Sequence, residues 1–454
     1  MPPDVRGWLP EGHLAWFVID AVEEMDLSAF YAAYRQDGHG RAAYEPSMMV
    51  ALLLYGYARG VRSSRAIERA CEEDVAYRVI AANQKPDHAT LARFVDRHED
   101  ALAGLFSEVL GLCAEAGLVG VGVVAIDGTK VAANASRDAD RDYEQIAREI
   151  LEEAKAVDRA EDERFGEARG DELPPQLSTH GGRRAWLRDA KRRHEERRAR
   201  EARPVPRSRT KRLVEARRRL EEDLQVERRA NAAYEAWRAR GISADGTRRM
   251  APGTTKPYRP PDRPAGKVNL TDPDSRLVKA MRGCIQGYNA QAAVNEQQIV
   301  LAAEVTIDSP DFGHLEPMVE ATEAELEQAG ATDKPGVVLA DAGYWHQKQM
   351  ESIVGRGIPV LIPPDSGKRK GTRPGWQGGR YAWMRRVLAT ELGERLYRKR
   401  SQTVEPMFGH TKHNRGMDRL HRRGRSAVRT EWRLITATHN LMKLHSHTLA
   451  AATA

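Results

Sequence analysis

The stretch VVAIDGTKVAANAS, Val123 to Ser136, sets the fold class. Its β-branched and small apolar residues on either side of Asp127-Gly128 predict a strand, a turn at that pair and a returning strand. Everything before it is patterned differently. From Pro46 to Gly117 apolar residues recur at helical spacing in PSMMVALLLYGYARG, SSRAIERACEEDVAYRVIAA and DHATLARFVDRHEDALAGLFSEVLGLCAEAG, which predicts three helices. Ser63 or Ser64 and Asp87 stand where N-caps are wanted. A bundle of this size suits a helix-turn-helix unit or a plain packing domain.

Beyond the stretch the texture changes again. Arg137 to Met250 is built of Arg, Glu and Ala, and Arg183 to Arg249 holds 23 Lys and Arg against 11 Asp and Glu, a balance of +12 where the whole chain carries +7. Charged helices are predicted here, broken near Gly170 to Gly182 and at Pro204 and Pro206. They read either as a solvated hairpin laced with ion pairs or as an insertion that contacts phosphates. After TTKPYRPPDRPAG, strands return as CIQGYNAQAAV and QIVLAAEVTID around a turn at Asn295-Glu296. A helix from Leu315 to Ala329 follows, then the strand GVVLADAGYW, the helix HQKQMESIVGRG, the strand IPVLIPP and the basic loop DSGKRKGTRPGWQGGR. The sum is an α/β sheet with three meander strands and two more joined by helical crossovers.

Composition narrows the function. An Arg-rich chain of 454 residues with net charge +7 fits an anionic polymer as partner, because guanidinium groups pair with phosphates bidentately. Cys71, Cys113 and Cys284 form no CxxC, which points to a reducing compartment and away from a thiolate zinc site. With no basic and apolar leader and no run of about 18 apolar residues, a cytoplasmic protein without a membrane partner is expected. Neither GxxxxGK[ST] nor GxSxG occurs, so nucleotide hydrolysis and a serine-hydrolase elbow are not implied.

Three acids stand out. Asp127 is read as ending the first sheet strand and Asp341 as ending GVVLAD, each followed by a small residue, Gly128 and Ala342. In such sheets ligands gather at strand ends. LYRKRSQTVEPMFGHTKHNRG, Leu396 to Gly416, reads as a helix carrying Glu405 among Tyr397, Arg400, His410 and Lys412. Two Asp and one Glu in one site repel unless a cation shares them. A small set of hard oxygen ligands suits Mg²⁺ or Mn²⁺. Two such ions, about 3.5 to 4 Å apart, activate a water or 3'-hydroxyl and stabilise the leaving oxygen of a phosphoryl displacement. His410 and His413 are spaced i, i+3 among cations, where phosphate contact or exposure outweighs metal ligation. RLHRRGR, Arg419 to Arg425, is a DNA-backbone contact or an exposed loop.

These phrases, in this order, resemble the DDE transposases of bacterial insertion sequences over nearly the whole chain. YEPSMMVALLLYGYARGVRSSRAIERACEEDVAYRVIAANQKPDHATLARF resembles the helical domain that precedes catalysis. NLTDPDSRLVK and GYNAQAAV resemble the segments leading to the second and third strands, and LADAGYW the second-aspartate strand. QTVEPMFGHTKHNRGMDRLHRRG resembles the glutamate helix and EWRLITATHNLMKLH the closing helix. The resemblance implies an RNase H-like mixed sheet with helices at 119–136 and 251–454, a DNA-binding helical domain at 1–118 and a helical insertion at 137–250. It implies Asp127, Asp341 and Glu405 as catalytic metal ligands for two Mg²⁺ or Mn²⁺ ions. The family signature Tyr-x2-Arg-x3-Glu-x6-Lys falls on Tyr397, Arg400, Glu405 and Lys412, with four residues in place of three between Arg400 and Glu405. Tyr397, Arg400 and Lys412, with Arg422 and Arg423, are expected to grip DNA phosphates, and Tyr344 and Trp345 to stack on an unpaired base. The implied partners are the element's terminal inverted repeats, target DNA and a second subunit in a homodimer. A nuclease of the same fold without strand transfer and a noncatalytic DNA-binding descendant are the alternatives.

Overall fold

The computed structural model of the chain describes residues 5–34, 43–149, 183–200, 205–206, 208–239, 259–280, 283–365 and 379–453. The chain divides into two compact units: Met1–Asn134 with Leu277–Arg422 and Ala427–Ala454, and Ala135–Arg276 with Arg423–Ser426.

The first unit is organised by β1, Val124–Ala132, which is one unbroken strand. This corrects the hairpin expected at Asp127-Gly128. β1 pairs antiparallel with β5, Gly283–Asn295, in continuous register from Val124↔Asn295 to Ala132↔Gly287, so Asp127 and Gly128 face Ala292 and Gln291 across the ladder. A Gly inside a strand commonly marks a close approach rather than a turn, and here polar side chains of β5 lie over Gly128. β6, Val300–Thr306, pairs antiparallel with the other edge of β5 around the expected turn after Asn295. β7, Val338–Ala340, and β8, Val360–Leu361, extend the sheet in parallel beyond β1. With β4, Arg276–Ala280, the order is β4-β5-β1-β7-β8, with β6 also on β5. Three meander strands and two crossover strands are therefore present as expected, in a mixed sheet of the RNase H-like class.

Helices cover this sheet. The N-terminal run holds α1 (Leu14–Glu23), α2 (Pro46–Ala58), α3 (Ser64–Glu73), α4 (Val75–Ile80), α5 (His88–Arg97) and α6 (Glu99–Glu115). Two of the three expected helices are thus each split. Asp74 breaks the first by taking an extended backbone and accepting from the Ala76 N–H, and His98 separates the second pair. Asp87 caps as expected, its carboxylate accepting from the Thr90 N–H at 2.8 Å. α2 is apolar all round and buried along nearly its whole length, as a helix without a polar face must be.

The crossovers are α9, Leu315–Gln328, and α10, Gln347–Gly355. α11 (Gly379–Leu388), α12 (Glu391–Gly409) and α13 (Arg425–Thr453) complete the chain. α13 seals the sheet edge. Asn440 both accepts from the Val300 N–H and donates to its carbonyl at 2.8 Å, and Arg429 pairs with Glu304, so β6 is closed to further strands. Arg62 with Glu431 and Arg422 with Glu99 tie the N-terminal helices into the same unit, and Arg433 donates to the Ala103 carbonyl at 2.8 Å. Among the described residues no helix is long and apolar enough to cross a membrane.

In the second unit α7, Arg183–Arg200, and α8, Arg209–Ala239, form a charged pair separated near Pro206 as expected; the break placed near Gly170 to Gly182 lies outside the described residues. β2, Asp140–Asp142, pairs with β3, Lys267–Asn269, and Ile146, Leu213, Leu220, Val268 and Leu270 supply a small core. Much of the arginine charge is neutralised within the unit: Arg198 by Glu195, Glu222 and Asp223, Arg218 by Glu215, and Arg219 by Glu215 and Asp274.

Candidate active site

The register of β1 against β7 brings the first two acids together. Their parallel ladder runs through three pairs and ends at Ile126↔Ala340, so Asp127 and Asp341 stand side by side one step further on. Asp127 therefore lies inside its strand and not at its end, the position expected from the sequence. Asp341 comes directly after β7 and turns the chain, its carboxylate accepting from the Gly343 N–H at 2.8 Å. Alternation along β1 puts Asp127 and Thr129 on one face and Gly128 and Lys130 on the other.

α12 lies over the Asp127 face. Its Arg400 donates to Asp127 at 2.9 Å and reaches Glu405 at 3.9 Å, so one guanidinium spans the first and third acids. The extra residue between Arg400 and Glu405 turns the glutamate about 100° further round the helix than the family spacing would. The Arg side chain is long enough to bridge the difference. Glu405 stays 62% exposed while Asp127 is 19% exposed. Pro406 has no N–H for the Gln402 carbonyl, which accepts instead from Gln298 at 3.4 Å. The helix then opens into a π turn, His410–Asn414, that carries Lys412 to the Thr129 hydroxyl and, at 2.8 Å, to the Lys130 carbonyl. Tyr397 is half-buried against Arg400.

Two family models match the chain, a transposase domain (DUF772) over residues 3–97 and a transposase DDE domain over residues 367–445. The two matches support a DDE transposase of an insertion element. The second match contains Tyr397, Arg400, Glu405 and Lys412, and the first contains the N-terminal helices through α5. No curated protein and no solved structure matches it. The DDE domain indicates a metal-dependent polynucleotidyl transferase that acts on DNA.

Burial is the largest influence on Asp127. Its pKa is pushed up to about 6, with Asp341 adding to the rise while Arg400 and the Gly128 N–H oppose it. Burial likewise raises the Tyr397 hydroxyl and lowers Lys412. In kind, the acids fit a divalent ion: Asp127 and Asp341 are adjacent hard oxygen donors whose mutual repulsion a cation relieves. The transposase already places one positive group, Arg400, between Asp127 and Glu405. Among the described residues no three acids or histidines close into a ready cage, because Glu405 stands on the far side of that guanidinium.

Several expected contacts are corrected. Tyr344 is fully buried, its hydroxyl donating to Gln291, and Trp345 is nearly so, packed on Tyr381 with ring centroids 4.8 Å apart. Neither ring is presented for stacking, because the short turn after Asp341 folds both inward. Arg422 is committed to Glu99 at 2.7 Å and is largely buried, a structural ion pair in place of the expected DNA contact. Arg423 is exposed, in the second unit. His410 meets His439 at 3.0 Å between their Nδ1 atoms, and burial lowers both pKa values, so His410 serves packing. Sequence reasoning missed Asp311, which accepts from Lys130, Asn289 and Gln291 directly behind Gly128. A polar pair buried in an otherwise apolar strand, Asn289 and Gln291 in GYNAQAAV, was the available signal.

Proposed function

We propose that this transposase binds the inverted ends of its element, cleaves the phosphodiester there and transfers the freed 3'-hydroxyl to target DNA. The observation that carries this is the side-by-side register of Asp127 and Asp341, with Arg400 from the Glu405 helix seated on Asp127. Asp127 and Asp341 would hold the divalent ions, with Glu405 as the third ligand. Bound there, the pair of Mg²⁺ or Mn²⁺ ions supplies an activated water or 3'-hydroxyl and neutralises the leaving oxygen.

The protein's own groups have separable roles. Arg400 keeps negative charge at Asp127 tolerable and presents a fork suited to a phosphate oxygen. Lys412, held on the β1 backbone, fixes the glutamate helix to the strand of the first acid. Asp127 must lose its proton to act as a ligand, so protons and the metal ion compete for it. Residues 1–118 are assigned to end recognition and 137–250 to crossing the DNA or a second subunit, since two ends must be brought together.

The test is a strand-transfer assay with labelled element ends and Mg²⁺. Alanine at Asp127, Asp341 or Glu405 should abolish cutting with DNA binding retained, and cutting retained in any one removes that residue from the triad. Ends that are cut by the parent protein but never joined to target would identify a nuclease instead.

A further inference from the structure

We propose that Asp311 is a positioning residue that locks the strand of Asp127 to the turn of Asp341 from behind the sheet. It lies between β6 and α9 in TIDSPDFGHL. Its Oδ1 accepts from Lys130 Nζ at 3.1 Å, Asn289 Nδ2 at 2.7 Å and Gln291 Nε2 at 2.9 Å. Gln291 Oε1 in turn accepts from the Tyr344 hydroxyl. Lys130 is three residues past the first acid and Tyr344 three past the second. The direct β1–β7 ladder stops one residue short of both acids. The relay Lys130–Asp311–Gln291–Tyr344 spans that gap on the opposite face.

Two glycines record how closely this clamp fits. A Cβ on Gly128 would come within 2.5 Å of Asp311 Oδ1 and closer still to Gln291 Nε2, and one on Gly343 would lie 3.7 Å from Asp311 Oδ2. Asp311 thus abuts the backbone just beyond each acid. A carboxylate suits the place because one oxygen receives three donors, one of them charged, and ion-assisted hydrogen bonds are roughly twice as strong as neutral ones. An amide there would keep one acceptor oxygen but lose the charge that pairs with Lys130. The clamp accounts for Lys130 and for the buried Tyr344 hydroxyl, which the signature residues leave unexplained.

This inference rests on the reading of Asp127 and Asp341 as metal ligands, and one experiment separates the two. Mn²⁺ binding to the full-length protein is followed by electron paramagnetic resonance of the free ion, alongside the Mn²⁺ concentration that half-saturates DNA nicking. Asp127→Asn should abolish binding. Asp311→Asn should weaken affinity about 10- to 100-fold, the usual cost of losing a group that orients ligands. Lys130→Arg should retain the parental value. Tyr344→Phe removes one oxygen at the far end of the relay and should weaken affinity while the melting temperature stays near that of the parent; it decides the matter if Asp311→Asn fails to fold. Parental Mn²⁺ affinity in Asp311→Asn or Tyr344→Phe, even with a lowered melting temperature, overturns the positioning role. Parental affinity in Asp127→Asn overturns the metal reading itself.

Discussion

Asp127 should cost this protein stability at neutral pH. Its pKa in the folded state is about 6 against an ordinary 3.8, chiefly because burial penalises the carboxylate and Asp341 repels it. At about 1.4 kcal/mol per tenfold, ionising it in place costs about 3 kcal/mol. That figure is already net of Arg400, whose attraction is among the influences on the pKa. The sign follows from linkage: a group whose folded pKa is raised favours the fold below its unfolded pKa and loses that contribution as pH climbs through the folded value. Stability from this group should therefore fall between pH 3.8 and about 6. Asp127→Asn mimics the protonated acid, with no charge to bury. It should melt at a higher temperature than the parent at about pH 7.5 in the absence of divalent metal, and the difference should vanish near about pH 4. Thermal melts of both proteins across that range, monitored by tryptophan fluorescence, provide the check. If Asp127→Asn melts lower than the parent at the upper end of the range, or keeps its advantage at the lower end, the electrostatic reasoning is refuted.

Three further outcomes follow from the same geometry. Arg400→Ala removes the cation that holds down the Asp127 pKa, so the acid limb of the pH profile for metal-dependent cutting should move to higher pH; an unmoved limb would mean that the pair does not control Asp127. Gly128→Ala forces a methyl to within 2.8 Å of three polar atoms, on Gln291, Asp311 and Asn289, and should destabilise the first unit by about 1 to 3 kcal/mol, read by chemical denaturation, where an unchanged midpoint would show that these side chains yield freely. Reversing the charge of Arg193, Arg197 and Arg217 on the exposed side of the α7–α8 pair should weaken DNA binding and flatten its salt dependence by about 0.9 for each phosphate no longer neutralised. The slope of log affinity against log salt measures this, and an unchanged slope would make the hairpin a charged spacer.

What the sequence determined by itself was the inventory and its order. Apolar runs at β5 and β6, helical spacing in α2 to α6, and the two acids after short apolar runs are local patterns, and local patterns survive without a partner. The signature Tyr397, Arg400, Glu405 and Lys412 was legible because helical spacing keeps those residues within a few turns of one another. Tertiary structure decided what depends on register. Asp-Gly inside an apolar run is the usual mark of a hairpin turn, yet at Asp127-Gly128 the strand continues, because β5 supplies a full-length partner from far along the chain and needs a glycine beneath its own amides. Likewise only the β1–β7 register places Asp127 beside Asp341, and only the folded turn after Asp341 shows that Tyr344 points inward. Asp311 is the clearest case. Nothing around it in the chain distinguishes it from a corner residue, and its three donors come from two strands that meet it only when the sheet is assembled.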